Sequence, residues 1–206
     1  MQEKPWHKSW PAGQPHSLDY PDITVDVFLR SAAHKFPDRT AQIYEGTPYT
    51  YSELWDKAKR FSAALAALGV RKGDVVAAHM PNCPQFAIVY YGILASGAVY
   101  TATNPLMTAR ELEKQLRDCG AKVVVTFDLF ARTISEIRER LGLKHVIITS
   151  FDEAISRSPD GRSPGEGMIG LQDLLDRHAP EPPKIKLDPA TDLAHLNYTG
   201  GTTGVS

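Results

Sequence analysis

Apolar and polar positions change their spacing along the chain, and the changes mark out elements. A first helix is expected from about Thr24, and it must stop before Pro37, whose ring clashes with the preceding turn. Gln42-Ile43-Tyr44 and Tyr49-Thr50-Tyr51, separated by Glu45-Gly46-Thr47-Pro48, read as a hairpin with a longer loop. Leu54, Ala58, Phe61, Leu65 and Leu68 then recur at helical spacing. Thr50-Tyr51-Ser52-Glu53 fits a capping box at the start of that helix, and Gly69 stops it. From Asp74 onward strand and helix patterns alternate. Short apolar runs lie at 75–79, 98–102, 122–126, 145–149 and 193–198, with helical stretches at 84–96, 108–118 and about 130–141. Thr108-Ala109-Arg110-Glu111 is a second capping box, Gly120 and Gly142 follow helix ends, and Glu113 can pair with Arg117 one turn on. Strands too apolar to have a wet face, separated by helices, predict an α/β fold. Its sheet is mainly parallel, flanked by helices on both faces, with a small N-terminal hairpin and arm.

The flanking segments lack such a period. Residues 1–22, with Trp6, Trp10, Tyr20 and prolines at 5, 11, 15 and 21, read as an extended arm pinned to the body by its aromatics. The α/β core is expected over 23–150. Residues 151–190 read as a mobile connector with a short helix around Leu171–Arg177. Within it Ser156–Gly167 has the composition of a mobile surface loop, and Pro180-Glu181-Pro182-Pro183 leads on to Asp188-Pro189. Residues 191–206 hold a strand and the start of a glycine-rich loop.

Composition narrows the function classes. The 206 residues are 42% hydrophobic and 23% charged, with a net charge of −1 and a pI of about 6.7, and no basic stripe stands out. A nucleic-acid partner therefore lacks electrostatic support. The two cysteines, Cys83 and Cys119, fall outside any CxxC pattern, and the seven histidines are scattered. Neither a disulfide scaffold nor a metal site is expected, and a reducing cytoplasm fits. The most apolar stretch, Phe86 to Tyr100, is broken by Gly92, Ser96 and Gly97 and falls short of the ~20 residues of a membrane span. Peripheral attachment to a membrane stays open.

One segment carries chemistry: Tyr198-Thr199-Gly200-Gly201-Thr202-Thr203-Gly204, after the apolar run Leu193-Ala194-His195-Leu196-Asn197. Glycines let the backbone turn sharply and aim several N–H groups at one point, while threonines add short hydroxyl donors. A polyphosphate, with many acceptor oxygens, suits such a loop best. A glycine pair alone would more often be a permissive turn. No lysine follows in the GxxxxGK[ST] spacing, and the cluster is not a GxGxxG at the start of a sheet, so two other phosphate motifs are set aside.

That loop, continued by Val205, resembles the signature loop of the adenylate-forming superfamily: acyl-CoA synthetases, luciferases and peptide-synthetase adenylation domains. Further pieces are similar to the family in the same order. They are Pro37-Asp38-Arg39-Thr40-Ala41, Tyr49 to Leu54, Ala66 to Ala77, Met80 to Phe86, and Gly97 to Leu106. Gly200 stands where most of the superfamily has serine, and Ser206 where a Pro-Lys-Gly run begins. The Gly-Gly form and Asn104-Pro105-Leu106 resemble long- and medium-chain fatty acyl-CoA synthetases of bacteria and archaea.

The resemblance implies the N-terminal part of the large adenylate-forming domain and a two-step reaction on fatty acid, ATP and coenzyme A, with Mg²⁺. It places Tyr198, Thr199, Gly200, Gly201, Thr202, Thr203, Gly204, Val205 and Ser206 on the nucleotide. Threonine hydroxyls and glycine N–H groups would hold the β- and γ-phosphates. The family's later lysines, acidic metal ligand and ribose-binding Asp would lie beyond Ser206, so no catalytic residue is assigned within the chain and no turnover is expected of it alone. Two rivals stand beside this reading. One is another acid–CoA or carrier-protein-loading ligase, and the other is a non-catalytic nucleotide-binding module. His79 and His195 read as core or sheet-edge histidines and Asn82 as a helix cap. Cys83 and Cys119 read as helix-end residues, and Tyr90, Tyr91 and Tyr100 as packing residues.

Overall fold

The computed structural model describes residues 4–156 and 165–199. A 3-10 turn at Pro5–Ser9 is followed by α1 (Asp26–Lys35), and then by the hairpin β1 (Thr40–Tyr44) and β2 (Thr47–Thr50). The α/β part comprises α2 (Tyr51–Ala67), β3 (Val75–His79), α3 (Pro84–Ala95), β4 (Val99–Thr103), α4 (Ala109–Asp118), β5 (Val123–Phe127), α5 (Ala131–Leu141) and β6 (His145–Thr149). It is completed by α6 (Phe151–Ser156), β7 (Ile169–Gly170), α7 (Leu171–Arg177) and β8 (His195–Leu196).

Six strands form one sheet in the order β7-β6-β5-β3-β4-β8, and every described pair is parallel. Side chains alternate across it. Val76, Ala78, Tyr100, Val123, Val125, Phe127 and Ile147 face one apolar cluster with α1, α2, α3 and α7. Ala77, Val124, Val146 and Ile148 face a second cluster with Leu112 and Leu116 of α4 and Ile134, Ile137 and Leu141 of α5. Both faces are thus covered, as the near-continuous apolar strands require.

Local signals account for the helix ends. Thr50 Oγ1 accepts from the Glu53 N–H (3.2 Å) while Glu53 Oε2 accepts from the Thr50 N–H (2.8 Å). The box at Thr108 and Glu111 repeats this exchange. Two orphan donors are satisfied at each start. Gly142 ends α5 in the left-handed region (φ 59°, ψ 44°), where a Cβ would be disfavoured. Glu113 takes Arg117 at 2.7 Å and also Arg140 of α5 at 2.8 Å, joining the two helices of the second layer.

The structure departs from the sequence reading in five places. The hairpin loop is the pair Glu45-Gly46, both at positive φ (45° and 76°), and Thr47 and Pro48 already pair in β2. Such a two-residue turn matches the strand twist, and Pro48 is tolerated in a two-stranded ribbon. The arm's aromatics are exposed (Trp6 57%, Trp10 41%, Tyr20 82%), and rings within the arm pack on one another, with His7 stacked on His16 at 4.2 Å. The stretch 151–190 supplies α6 and β7 in addition to the expected connector and the expected short helix, which is α7. Asn82 is exposed, and the N-cap of α3 is Cys83, which makes no side-chain capping bond; Pro84 at N1 removes one of the donors needing a cap. Finally, β8 is two residues long rather than spanning 193–198. The loop expected to be mobile at Ser156–Gly167 falls mostly on residues 157–164, outside the described residues.

Helices α2 and α3 approach closely at Gly92. A Cβ there would meet Ala58 O at 2.9 Å and Phe61 Cδ1 at 2.8 Å. Gly92→Ala gains helix propensity worth ~1 kcal/mol but forces the two helices apart, an overpacking cost of about 1–3 kcal/mol. We expect a net loss, read as a lower urea midpoint at unchanged m-value. A raised midpoint would show that the helix separation is not set by this contact.

Candidate functional site

The chain reaches the glycine- and threonine-rich segment through β8, an edge strand held on β4 by few bonds. The Tyr100 N–H donates to Ala194 O (2.9 Å), and Thr101 Oγ1 donates to Leu196 O (3.0 Å). The last register pair is Thr101 with Leu196. Beyond it, Ala102 O accepts from Gln115 Nε2 of α4 at 2.8 Å, so the helix side chain takes a carbonyl past the end of the ladder. Because β8 runs parallel to β4, the chain leaves it at the sheet's carboxyl edge.

Of the predicted loop residues, Tyr198 and Thr199 are described; Gly200, Gly201, Thr202, Thr203, Gly204, Val205 and Ser206 lie outside the described residues. Tyr198 is half-buried, and its hydroxyl donates to Asp118 Oδ2 at 2.5 Å. Burial first, and then the bond to Asp118, pushes that hydroxyl above the ordinary tyrosine value, so it stays a donor. Between Tyr198 and α4 lies an open cleft of about 800 Å³, lined among others by Arg110, Glu113, Lys114, Arg117 and Asp118. Hydrogen bonds from Arg140 and then Arg117 hold the Glu113 carboxyl below its usual range. The sequence reading missed Asp118 and Gln115. One signal was available: an acid at the last residue of a helix opposes the macrodipole, so helix stability does not account for it.

The same carboxyl edge holds the topological switch of the sheet. The chain passes from β3 to β4 on one side and returns to β5 on the other, and open α/β sheets bind ligands in the crevice at such a point. His79, the last residue of β3, stands there fully buried. Its Nδ1 lies 2.8 Å from Thr103 Oγ1, which itself donates to Ala78 O at 3.4 Å. This chain of donors places the ring proton on Nδ1. Nε2 finds no partner among the described residues, and Phe130 meets the ring edge-on at 5.2 Å. His79 is therefore a core histidine with one nitrogen satisfied.

The other singled-out groups pack. His195 meets Tyr100 edge-on at 4.9 Å, and burial lowers its pKa. Tyr90 meets both Tyr91 and Tyr100 edge-on, and Tyr100 meets Phe86 in the same way. Burial pushes the Cys83 thiol up to about 11 and also raises Cys119, so neither is a thiolate near neutral pH. Among the described residues no group of three or more His, Cys, Asp or Glu could hold a metal ion, and no helix is long and apolar enough to cross a membrane.

Comparison with known proteins adds to this geometry. The family model described as AMP-binding enzyme matches residues 29–206. A long-chain-fatty-acid–CoA ligase of Bacillus subtilis is 34% identical over 216 residues, covering 98% of this chain and 39% of that protein. A solved long-chain-fatty-acid-CoA ligase (FadD1) from Archaeoglobus fulgidus matches with a TM-score of 0.77 at 25% identity, over 90% of this chain and 36% of that one. The anthranilate CoA ligase AuaEII in complex with anthranoyl-AMP gives 0.78 at 25% identity, over 89% and 33%. The chain spans less than half the length of the relatives it matches.

Burial drives the His79 pKa down to about 4 from its ordinary 6.5. Between those values the unfolded chain binds a proton that the folded chain refuses, so stability is full above pH ~6.5 and declines toward pH ~4. We expect a loss of up to about 3 kcal/mol over that window from this residue, since one pKa unit is worth ~1.4 kcal/mol. Urea unfolding of the wild type and His79→Gln at pH 7 and pH 5 checks it. The substitution should shrink the difference between the two pH values, and an equal difference in both proteins counts against His79 as its source.

Proposed function

Because the chain belongs to the AMP-binding enzyme family, we propose that it forms the N-terminal portion of a ligase joining a long-chain fatty acid to coenzyme A. In the first step a carboxylate oxygen of the acid attacks the α-phosphorus of ATP. The bond to the bridging oxygen breaks, and pyrophosphate leaves. In the second step the thiol sulfur of coenzyme A attacks the acyl carbonyl, its proton is lost, and AMP departs. The observation that carries this reading is the alignment of 98% of the chain with long-chain-fatty-acid–CoA ligases, with β8 leading into the Gly/Thr segment.

The chain's own contribution is to meet the leaving group. Thr199, Thr202 and Thr203 would donate hydroxyl hydrogens to the β- and γ-phosphates, and Gly200, Gly201 and Gly204 would offer backbone N–H groups without a side chain in the way. Fixed donors aimed where negative charge grows lower the barrier without reorganising during the reaction. Tyr198, Val205 and Ser206 complete the proposed nucleotide-contacting segment. Mg²⁺, which the family resemblance implies, finds no cluster of ligands among the described residues, so no step is routed through it. The remaining catalytic groups belong to the length the relatives possess beyond the matched part. A second reading, an aromatic acid as substrate, is favoured by the equally good structural match to an anthranilate CoA ligase. A panel of fatty and aryl acids separates the two.

In a protein carrying this chain together with the relatives' remaining length, Thr202→Val with Thr203→Val should slow acid-dependent pyrophosphate exchange by ~10²–10³, the usual cost of removing such a donor. Thioester formation from supplied acyl-adenylate should persist, because the β- and γ-phosphates have already gone. The 206-residue chain alone should show no exchange. Undiminished exchange by the double variant would remove the threonines from this role, and exchange by the short chain would mean that it holds a complete site.

A further inference from the structure

Past Leu196 the backbone has no further register pair on β4, yet the direction in which it leaves is set by side chains. Three links close a triangle around that point. Thr101 Oγ1 of β4 holds Leu196 O of β8 at 3.0 Å, Gln115 Nε2 of α4 holds Ala102 O of β4 at 2.8 Å, and Tyr198 Oη donates to Asp118 Oδ2 of α4 at 2.5 Å. The helix in this triangle does not yield easily: Leu112 and Leu116 are fully buried in the second cluster, and Glu113 ties it to α5 through Arg140. Asp118, by contrast, sits at the last residue of α4, where a carboxylate gains nothing from the helix dipole. Its described partner is a residue 80 positions away in sequence and immediately before Thr199.

We propose that Asp118 is a positioning residue: acting through the Tyr198 hydroxyl, it fixes where the Gly/Thr segment begins, and so sets how well that segment meets the phosphates of ATP. This rests on the phosphate-loop reading above. Asp118 itself touches no phosphate. An acid beside an anionic ligand would repel it, so the gain comes from the hydrogen bond and not from the charge. Tyr198 delivers the constraint one residue ahead of the first threonine.

The test is a double-mutant cycle in a protein carrying this chain and the relatives' remaining length, read as KM for ATP and maximal rate of pyrophosphate exchange. Losing an exposed hydrogen bond to a charged acceptor should raise KM by about 5- to 10-fold in Asp118→Ala and in Tyr198→Phe, more than the maximal rate falls. The double variant should be no worse than either single one, the non-additivity of two residues acting as a pair. Asp118→Asn, whose amide oxygen still accepts from the tyrosine, should recover most of the loss. If charge alone mattered, Asn would behave as Ala. In parallel, amide hydrogen exchange of the 206-residue chain should be faster over residues 197–206 in Asp118→Ala and Tyr198→Phe, and unchanged over β3–β6. Additive effects, an unaltered KM, or no change in hydrogen exchange would each overturn the proposal. Should the unaltered protein show no ATP-dependent exchange with any acid, the phosphate-loop reading fails, and the hydrogen-exchange arm alone decides whether the tether exists.

Discussion

Strand β3 lies between β4 and β5 in a parallel ladder, with one face against α2 and α3 and the other against α4 and α5. None of its backbone groups can turn to water, so each must be paired across the sheet. A parallel neighbour can be reached only through a crossover, and crossovers in a twisted sheet keep one hand. After β3 the chain moves outward to β4, and α3 lies on the first face. After β4 it must travel back past β3 to β5, so the same hand puts α4 on the opposite face, and α5 follows it there. The two apolar clusters are the consequence of this reversal. The switch-point crevice at the carboxyl edge is its other consequence, because the helices diverge there.

How much of this was legible in the sequence depended on whether the signal was local. Strands β3, β5 and β6 were legible because each carries a run of consecutive apolar residues that supplies both clusters. Helices α2 and α4 were legible because Thr50 with Glu53 and Thr108 with Glu111 settle their first turns without help from elsewhere. What escaped is decided at a distance. Strand β7 is Ile169-Gly170, two residues with no period of their own, and it exists because Ile147 and Ile148 offer the edge of β6. The hairpin loop is shorter than the expected Glu45-Gly46-Thr47-Pro48, because positive φ at Glu45 and Gly46 already completes the reversal. Aromatic residues in the arm suggested anchorage to the core, yet Trp6, Trp10 and Tyr20 stay exposed, and the described ring contacts of the arm run between its own residues, as between His7 and His16.

The candidate site divides in the same way. The Gly/Thr run carries its proposed chemistry locally, since small, donor-rich residues let a backbone close on a polyphosphate. Nothing local ties Asp118 to it. The 80-residue separation between Asp118 and Tyr198 is spanned by two crossovers and the long return to β8, and the contact becomes visible only when β8 is laid beside β4. His79 shows the converse. Its type and its place at a strand end invite a catalytic reading, yet complete burial, the Thr103 contact and a pKa near 4 make it a neutral part of the core.

The phosphate contact proposed for the Gly/Thr segment faces opposing requirements. Glycine is needed so that the backbone can approach the anion, but glycine also loses the most conformational freedom when it is fixed. Donors that stabilise a departing pyrophosphate act well only when they are already in place. A long strand before the loop would supply that order through ladder hydrogen bonds, but β8 stops at Leu196. Order must then come from side chains reaching over from elements that are themselves immobile. Gln115 and Asp118 project from α4, whose Leu112 and Leu116 are buried in the second cluster, and they take Ala102 O and the Tyr198 hydroxyl respectively. The crossover that brought α4 to the far face of the sheet, a requirement of topology, thus also supplies the rigid surface from which the segment's starting point is held.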